Sequence, residues 1–299
     1  MTKGNYEKPS ATALGNLALA CMATSERDPS VRGEDTFARC LLAWNDGAAA
    51  AARIRLLHPV LRAATERFLP GIYGFGLARA KHMDRVLREE IEVGIDSLVI
   101  LGAGYDTRAY RLRAELADVR VFEVDNSATS RDKRRRVGKV LGAPPGNVSF
   151  VEADLARDGV GQRLTASGYD ATDRTLFLLC GVSMYLSAEA MASLLDEIGA
   201  HKNERTSLLF DFVDARVLTE PDRFFGKEWI AHARKVGEEP RWGIPLGGVA
   251  ALLESHDLLL ASSLDAGELT TRYLRREDGS VVARPFDFGT VAHALARKR

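Results

Sequence analysis

The chain has 299 residues, 46% of them hydrophobic, enough for one large domain, or a domain with an extension, to bury a full core. Forty-one basic residues balance forty-one acidic ones, so no global field favours nucleic acid or an anionic membrane. Cys21, Cys40 and Cys180 are too widely spaced for a metal site or a disulfide framework, which suits a reducing cytoplasm, and no metal is expected.

Residues 1–95 read as a helical cap. The apolar stretch 11–23, with Lys3 and Lys8 ahead of it, raises the question of a signal peptide. Thr12, Gly15 and Asn16 interrupt it, and it is too short to span a bilayer. Leu14, Leu17, Ala18 and Cys21 fall on one side, which predicts an amphipathic helix. The stretch 41–57 is Ala-rich and broken at Asn45-Asp46-Gly47, and 60–69 is bounded by Pro59 and Pro70-Gly71. The glycine-aromatic stretch 71–76 reads as a loop that leads into a helix over 77–91, with Gly94 at its exit.

From Asp96 short apolar runs alternate with helical stretches, the mark of a parallel sheet. Strands are expected at 97–101, 119–124, 148–151, 175–179 and 207–212, and helices at 107–116, 127–141, 159–167 and 188–200. The first strand runs into Gly102-Ala103-Gly104. Two glycines one residue apart permit a sharp turn that brings backbone N–H groups toward a ligand at a helix N-terminus. Thr107 stands where a dinucleotide fingerprint has its third glycine. The second strand ends in Asp125, where nucleotide-binding α/β folds hold ribose hydroxyls and a carboxylate repels a 2′-phosphate. An adenosine-type cofactor follows. At this point S-adenosylmethionine stays open beside NAD, the cofactor of an oxidoreductase with a degenerate fingerprint.

The basic run 131–136 falls on the helix after the second strand and reads as a solvated face, not a nucleic-acid patch. Between 214 and 245 a polar segment with Phe224, Phe225, Trp229 and Trp242 exceeds an ordinary connection and reads as a lid over the site. The remainder predicts a helix over 248–255, a strand over 258–262 and a final pair of strands over 269–274 and 281–288.

Several of these stretches carry a resemblance. V-I-L-G-A-G-Y-D-T-R-A-Y-R-L over 99–112, V-F-E-V-D over 121–125 and G-V-S-M-Y-L over 181–186 resemble the leucine carboxyl methyltransferase family. More narrowly, they resemble its bacterial O-methyltransferase branch. Ala78-Arg79-Ala80-Lys81-His82-Met83-Asp84 is similar to that branch's A-R-T-[KR]-x-x-D motif. The resemblance implies an α/β fold over 96–299, a seven-stranded, mostly parallel, doubly wound, Rossmann-like sheet of the class I methyltransferase type. It implies S-adenosyl-L-methionine as cofactor. By the same resemblance Arg79 holds the cofactor carboxylate, and Gly102, Ala103 and Gly104 pass under the methionine part. Asp125, with Asn126 beside it, takes the ribose hydroxyls, and Asp154 and Leu155 meet adenine. The chemistry agrees, since a guanidinium offers a planar fork to a carboxylate and Asp154 can accept from the adenine amino group. Cys180 also falls in the cofactor site, but it stands where the family has Glu, and a thiol is a poor substitute for that carboxylate.

The expected function is methyl transfer to a carboxylate or hydroxyl of a small molecule in the cytoplasm. Polyketide- or peptide-derived acids and alcohols of secondary metabolism are the expected acceptors, and neither nucleic acid nor membrane is an expected partner. A sulfonium methyl is already electrophilic, so the enzyme must align an oxygen behind it and exclude water. A carboxylate needs no base; a hydroxyl does, and His82, His58 and Asp211 are candidates by type and position. Tyr185, just after the fourth strand, joins Tyr73, His82 and Asp211 as an expected residue of the acceptor pocket.

Overall fold

The computed structural model describes residues 9–201, 203, 205–224 and 226–297. Its strands are β1 (Ser97–Leu101), β2 (Arg120–Asp125), β3 (Val148–Glu152), β4 (Thr175–Leu179), β5 (Ser207–Val213), β6 (Leu258–Leu264) and β7 (Gly289–Ala296). They form one sheet in the order β3-β2-β1-β4-β5-β7-β6, with β7 antiparallel to both of its neighbours and the other pairings parallel. The chain winds outward from β1 to β3, then returns past β1 to β4 and β5. The reversal between β1 and β4 is the place where open α/β sheets bind ligands.

The helices are α1 (Ala11–Ala23), α2 (Ala38–Leu41), α3 (His58–Phe68), α4 (Ile72–Glu92), α5 (Arg108–Arg111) and α6 (Ser127–Leu141). Then come α7 (Val160–Ala166), α8 (Ala188–Gly199), α9 (Arg216–Thr219), α10 (Gly226–Lys235), α11 (Val249–Glu254) and α12 (Ala266–Tyr273). Every residue of β1, β4 and β5 is buried, because helices cover both faces of the sheet. Side chains divide between the faces by parity. Leu98, Ile100, Leu176, Leu178 and Leu209 share one core with α1, α4 and α12. Val99, Leu101, Phe177, Leu179, Leu208 and Phe210 share the other with α7, α8 and α11.

After the Gly71 cap, the stretch 72–76 is helical, not a loop. Helix α4 starts at Ile72, and its glycines serve close approach: a Cβ on Gly74 would lie 2.6 Å from the Arg284 carbonyl carbon. The strand expected over 269–274 is α12, opened by Asp265 and Glu268 in a reciprocal capping box. The last strand begins at Gly289, later than expected. Pro285 lacks an N–H for a ladder, and a side chain at Gly289 would strike the Phe75 and Phe286 rings. The helix expected over 107–116 shrinks to the single turn α5, whose Arg108 and Arg111 are drawn onto Asp84.

Candidate functional site

The C-terminal ends of β1 to β4 open into a cavity of about 540 Å³. The chain leaves β1 through Gly102 (φ +64) and Gly104 (φ +46). A Cβ on Gly102 would also sit 2.5 Å from Val182 Cγ2, so the turn needs glycine for its conformation and for the approach of the loop after β4. The Gly104 N–H donates to Asp125 Oδ2 at 2.5 Å, and Asp125 Oδ1 accepts from the Asn126 backbone (2.7 Å) and side chain (2.8 Å). Asn126 Oδ1 in turn caps α6. Asp125 thus ties the ends of β1 and β2, with acceptor capacity left over. Burial pushes its carboxyl up, while the Gly104 and Asn126 N–H groups and Lys133 pull it back.

Lys133 belongs to the basic run over 131–136, and that run is not uniformly solvated. Arg131, Arg134 and Arg135 face water, but Lys133 and Arg136, one helical turn apart, point inward. Lys133 Nζ lies 2.8 Å from Glu123 Oε1 and donates to the Ala103 carbonyl at 3.3 Å; Arg136 grips Asp46. Acids on neighbouring elements compensate the two inward charges.

Arg79, buried on α4, donates through Nη1 to Asp211 Oδ2 (2.7 Å), and Asp211 Oδ1 accepts from the Gly181 N–H (2.5 Å). Burial works against the Arg79 charge, but Asp211 outweighs it and the pKa rises. Gly181 adopts φ +70, and a Cβ there would come within 3.0 Å of Arg79 Nη1. Arg79 Nε is buried without a hydrogen-bond partner, an unmet donor at the cavity wall.

The rest of the motif works as a clamp that sequence reasoning missed. Arg108 bonds Asp84 (2.8 Å) and Asp106, and Arg111 reaches both Asp84 oxygens at 2.6 Å, bolting α4 to the turn after β1. The visible signal was the pairing of Asp84 in one motif with Arg108 in the other. Cys180 lies within the field of Arg79 and Arg108. Burial pushes its thiol up and Arg79 offsets this only in part, so it is a protonated thiol at neutral pH, unsuited to nucleophilic attack.

Helix α1 and residues 236–241 roof the cavity. Ser10 caps α1, donates to Glu238 Oε1 at 2.6 Å and bonds Thr129 Oγ1 through its own N–H at 3.2 Å. Beyond Glu238, the N–H groups of Arg241 and Trp242 donate to the Met184 carbonyl. Among the described residues of 214–245, only this far end touches the cavity. Trp229 packs on Phe288 and Trp242 on the second core, while Phe225 and the Phe224 side chain lie outside the described residues.

Arg79, Gly102, Ala103, Gly104, Asp125, Asn126, Asp154, Leu155, Cys180 and Tyr185 all line the cavity. Asp154 also accepts from the Ala156 N–H at 3.0 Å in a local turn. Burial, with Glu238 nearby, raises the Tyr185 phenol, which stays a donor. Tyr73, His82 and Asp211 do not line the cavity. Asp211 lies beneath Arg79, and Tyr73 donates to Glu26 at 2.8 Å. His82 faces away from Ala80 and Asp84 around α4, with Nδ1 2.9 Å from the Tyr273 hydroxyl. Burial, then Arg85 and Arg272, lower its pKa to about 4. His58 is buried against Ser25 and the Ala52 carbonyl. None of the three expected bases therefore lines the cavity; Glu238 and Tyr185 do.

A family profile described as leucine carboxyl methyltransferase matches residues 13–199. YktD of Bacillus subtilis, provisionally named an S-adenosyl-L-methionine-dependent methyltransferase, is 30% identical over 224 residues, 75% of this chain and 72% of that protein. A Mycolicibacterium smegmatis protein of the same provisional name is 30% identical over 235 residues, 76% and 74% of the two chains. A solved structure from Thermobifida fusca, provisionally described as a methyltransferase, shares the fold with a TM-score of 0.61 at 13% identity, covering 98% of this chain and 97% of that one. These matches displace the nicotinamide alternative. The chain belongs to the leucine carboxyl methyltransferase family and is an S-adenosyl-L-methionine-dependent methyltransferase.

Proposed function

We propose that the methyl group passes to an oxygen of a small molecule, a carboxylate or a hydroxyl. Polyketide- or peptide-derived acids and alcohols are the acceptor class. The observation that carries this reading is the roofed cavity, whose volume of about 540 Å³ is that of a small-ligand site. Its cover, α1 clasped to Glu238, suits a cofactor with a small acceptor better than a folded partner. The functional division is then a cap over 1–95 and a methyltransferase domain over 96–299, with 214–245 as the lid insertion.

The residues present fit the cofactor. The Gly102–Gly104 turn brings bare backbone to the cavity wall, Asp125 keeps acceptor capacity for a ribose hydroxyl, and the unmet Nε of Arg79 seeks an anion. Asp154 and Leu155 stand at the adenine end. The bound cofactor supplies an electrophilic sulfonium methyl. Asp211 holds Arg79 in place, α1 and the lid exclude water, and the Tyr185 hydroxyl donates to the acceptor oxygen. A carboxylate acceptor needs no base. A hydroxyl acceptor gives its proton to Glu238, the carboxylate nearest Tyr185 on the lid.

The test is incubation with methyl-labelled cofactor and a panel of small carboxylic acids, phenols and alcohols. Ester products release labelled methanol in base, and ether products do not. Label found only on nitrogen or on protein overturns the reading.

A further inference from the structure

The cap carries an apolar face that the methyltransferase site does not use. Among the described residues, exposed Trp44, Ile54, Leu56, Leu57, Val60 and Phe68 fall within one short stretch of chain. Val60 and Phe68 lie on helix α3, and Leu56 and Leu57 on the short 3-10 turn (Arg55–Leu57) that leads into it. The inner side of α3 rests on the first core through Leu61, with Arg62 paired to Glu26 at 2.5 Å, and His58 is its one fully buried residue. On its outer side Val60, Ala64 and Phe68 recur every fourth residue, the two large ones 67% and 72% exposed, and Leu56, 87% exposed, extends the apolar run from the turn before the helix. A surface helix normally turns such a stripe inward. This one faces water, and contiguous exposed apolar surface marks an interaction site.

Charge sorts with the stripe. The stretch 39–68 holds Arg39, Arg53, Arg55, Arg62 and Arg67 against Asp46 and Glu66, in a chain of zero net charge. Both acids point inward, Asp46 to Arg136 at 2.6 Å and Glu66 to the Gly71 N–H at 3.1 Å. Arg39, Arg55 and Arg67 stay exposed, and the Arg53 guanidinium lies 4.9 Å over the Trp44 ring. Two-fold pairing of α3 with a second copy would set Arg55 of one chain against Arg67 of the other, a like-charge contact. An anionic bilayer accepts the apolar stripe and the cations together.

We propose that the outer face of α3, with the exposed apolar residues of the segment before it, docks this enzyme on an anionic lipid surface. Trp44, Leu56, Val60 and Phe68 enter the headgroup boundary, and Arg39, Arg55 and Arg67 meet the lipid phosphates. The helix lies in the surface plane; no helix among the described residues is long and apolar enough to cross a membrane. Balanced net charge, the ground on which a membrane partner was not expected, conceals this local excess.

Flotation of the full chain with vesicles of phosphatidylcholine, with and without phosphatidylglycerol, tests the proposal. Binding should be at least tenfold stronger on the anionic vesicles, weaken with salt, and shift Trp44 emission to the blue. Leu56→Glu with Phe68→Glu should abolish it. Arg55→Ala with Arg67→Ala should weaken it about twenty-five-fold, at about fivefold per cation near an anionic surface. Calorimetric affinity for S-adenosylhomocysteine, unchanged in both variants, shows that they are folded. No binding, equal binding to the two vesicle types, or a wild-type dimer that the Leu56/Phe68 variant splits, overturns the proposal.

Discussion

At Asp125 one carboxylate accepts N–H bonds from both Gly104 and Asn126, so the acid proposed to meet the cofactor also closes the turn after β1. Asp125→Ala should weaken cofactor binding by about 1.5–3 kcal/mol, the range for hydrogen bonds to a charged group. Unchanged calorimetric affinity in a folded variant would remove it from the site. If Glu238 is the proposed base, Glu238→Gln keeps the Ser10 contact but cannot take a proton. It should lower kcat about 10²–10⁴-fold if the acceptor is a hydroxyl and leave kcat nearly unchanged if it is a carboxylate. His82 contributes to stability instead. Its folded pKa of about 4 lies below the unfolded value near 6.5, so the buried ring is neutral in the native state. This contribution is complete above pH 6.5 and is lost as pH falls toward 4, by up to about 3 kcal/mol. Protonation would leave Nε2, already without a partner, as a buried donor. In His82→Gln the melting temperature should fall less steeply across that window, and an acid limb identical to wild type would contradict the assignment.

Among the elements, α1 is both part of the first core and the roof of the cavity. Leu17, Cys21 and Met22 face the core, while Ser10, Thr12 and Ala13 line the cavity. The Ser10–Glu238 bond joins the two parts of that roof, α1 and residues 236–241. Ser10→Ala should cost about 1 kcal/mol as a lost N-cap. It should also speed amide exchange over 236–241 and release of S-adenosylhomocysteine. A variant that is only less stable, with lid exchange unaltered, would reduce Ser10 to a cap. Element boundaries were most legible where burial is two-sided. The expected 97–101 and 175–179 match β1 and β4, because a covered parallel strand is a continuous apolar run. α12 was misread although Asp265 and Glu268 stand at capping-box spacing, since Leu269 to Leu274 resembles a short strand when its cap is ignored.

For the whole molecule, the reversal of strand order between β1 and β4 gathers loops distant in sequence around one cavity. A ligand that bridges those loops should stabilise the entire fold. S-adenosylmethionine at a hundred times its dissociation constant should add about 2.7 kcal/mol to unfolding, visible as a clear rise in melting temperature. NAD at the same concentration should leave the melt where it was. A shift with NAD and none with S-adenosylmethionine would reverse the cofactor assignment.

Strand–helix alternation, the Gly102-Ala103-Gly104 turn, Asp125 at a strand end and the family motifs were all readable in the sequence. Each depends on local demands: a buried strand is apolar throughout, a tight turn needs glycine, and a ligand acid sits where its strand stops. The direction in which side chains face was decided in three dimensions. Arg79 and Asp211 meet from helix and strand, 132 residues apart, and Arg108 finds Asp84 across two motifs. His82 turns into the core, and Lys133 leaves a basic run to hold the Ala103 carbonyl. Glu238, rather than Trp229 or Trp242, reaches the cavity, and α3 shows its apolar stripe to water. Periodicity registers only what a residue's near neighbours require. The partner that buries, charges or exposes a side chain comes from an element packed against it, which local sequence does not name.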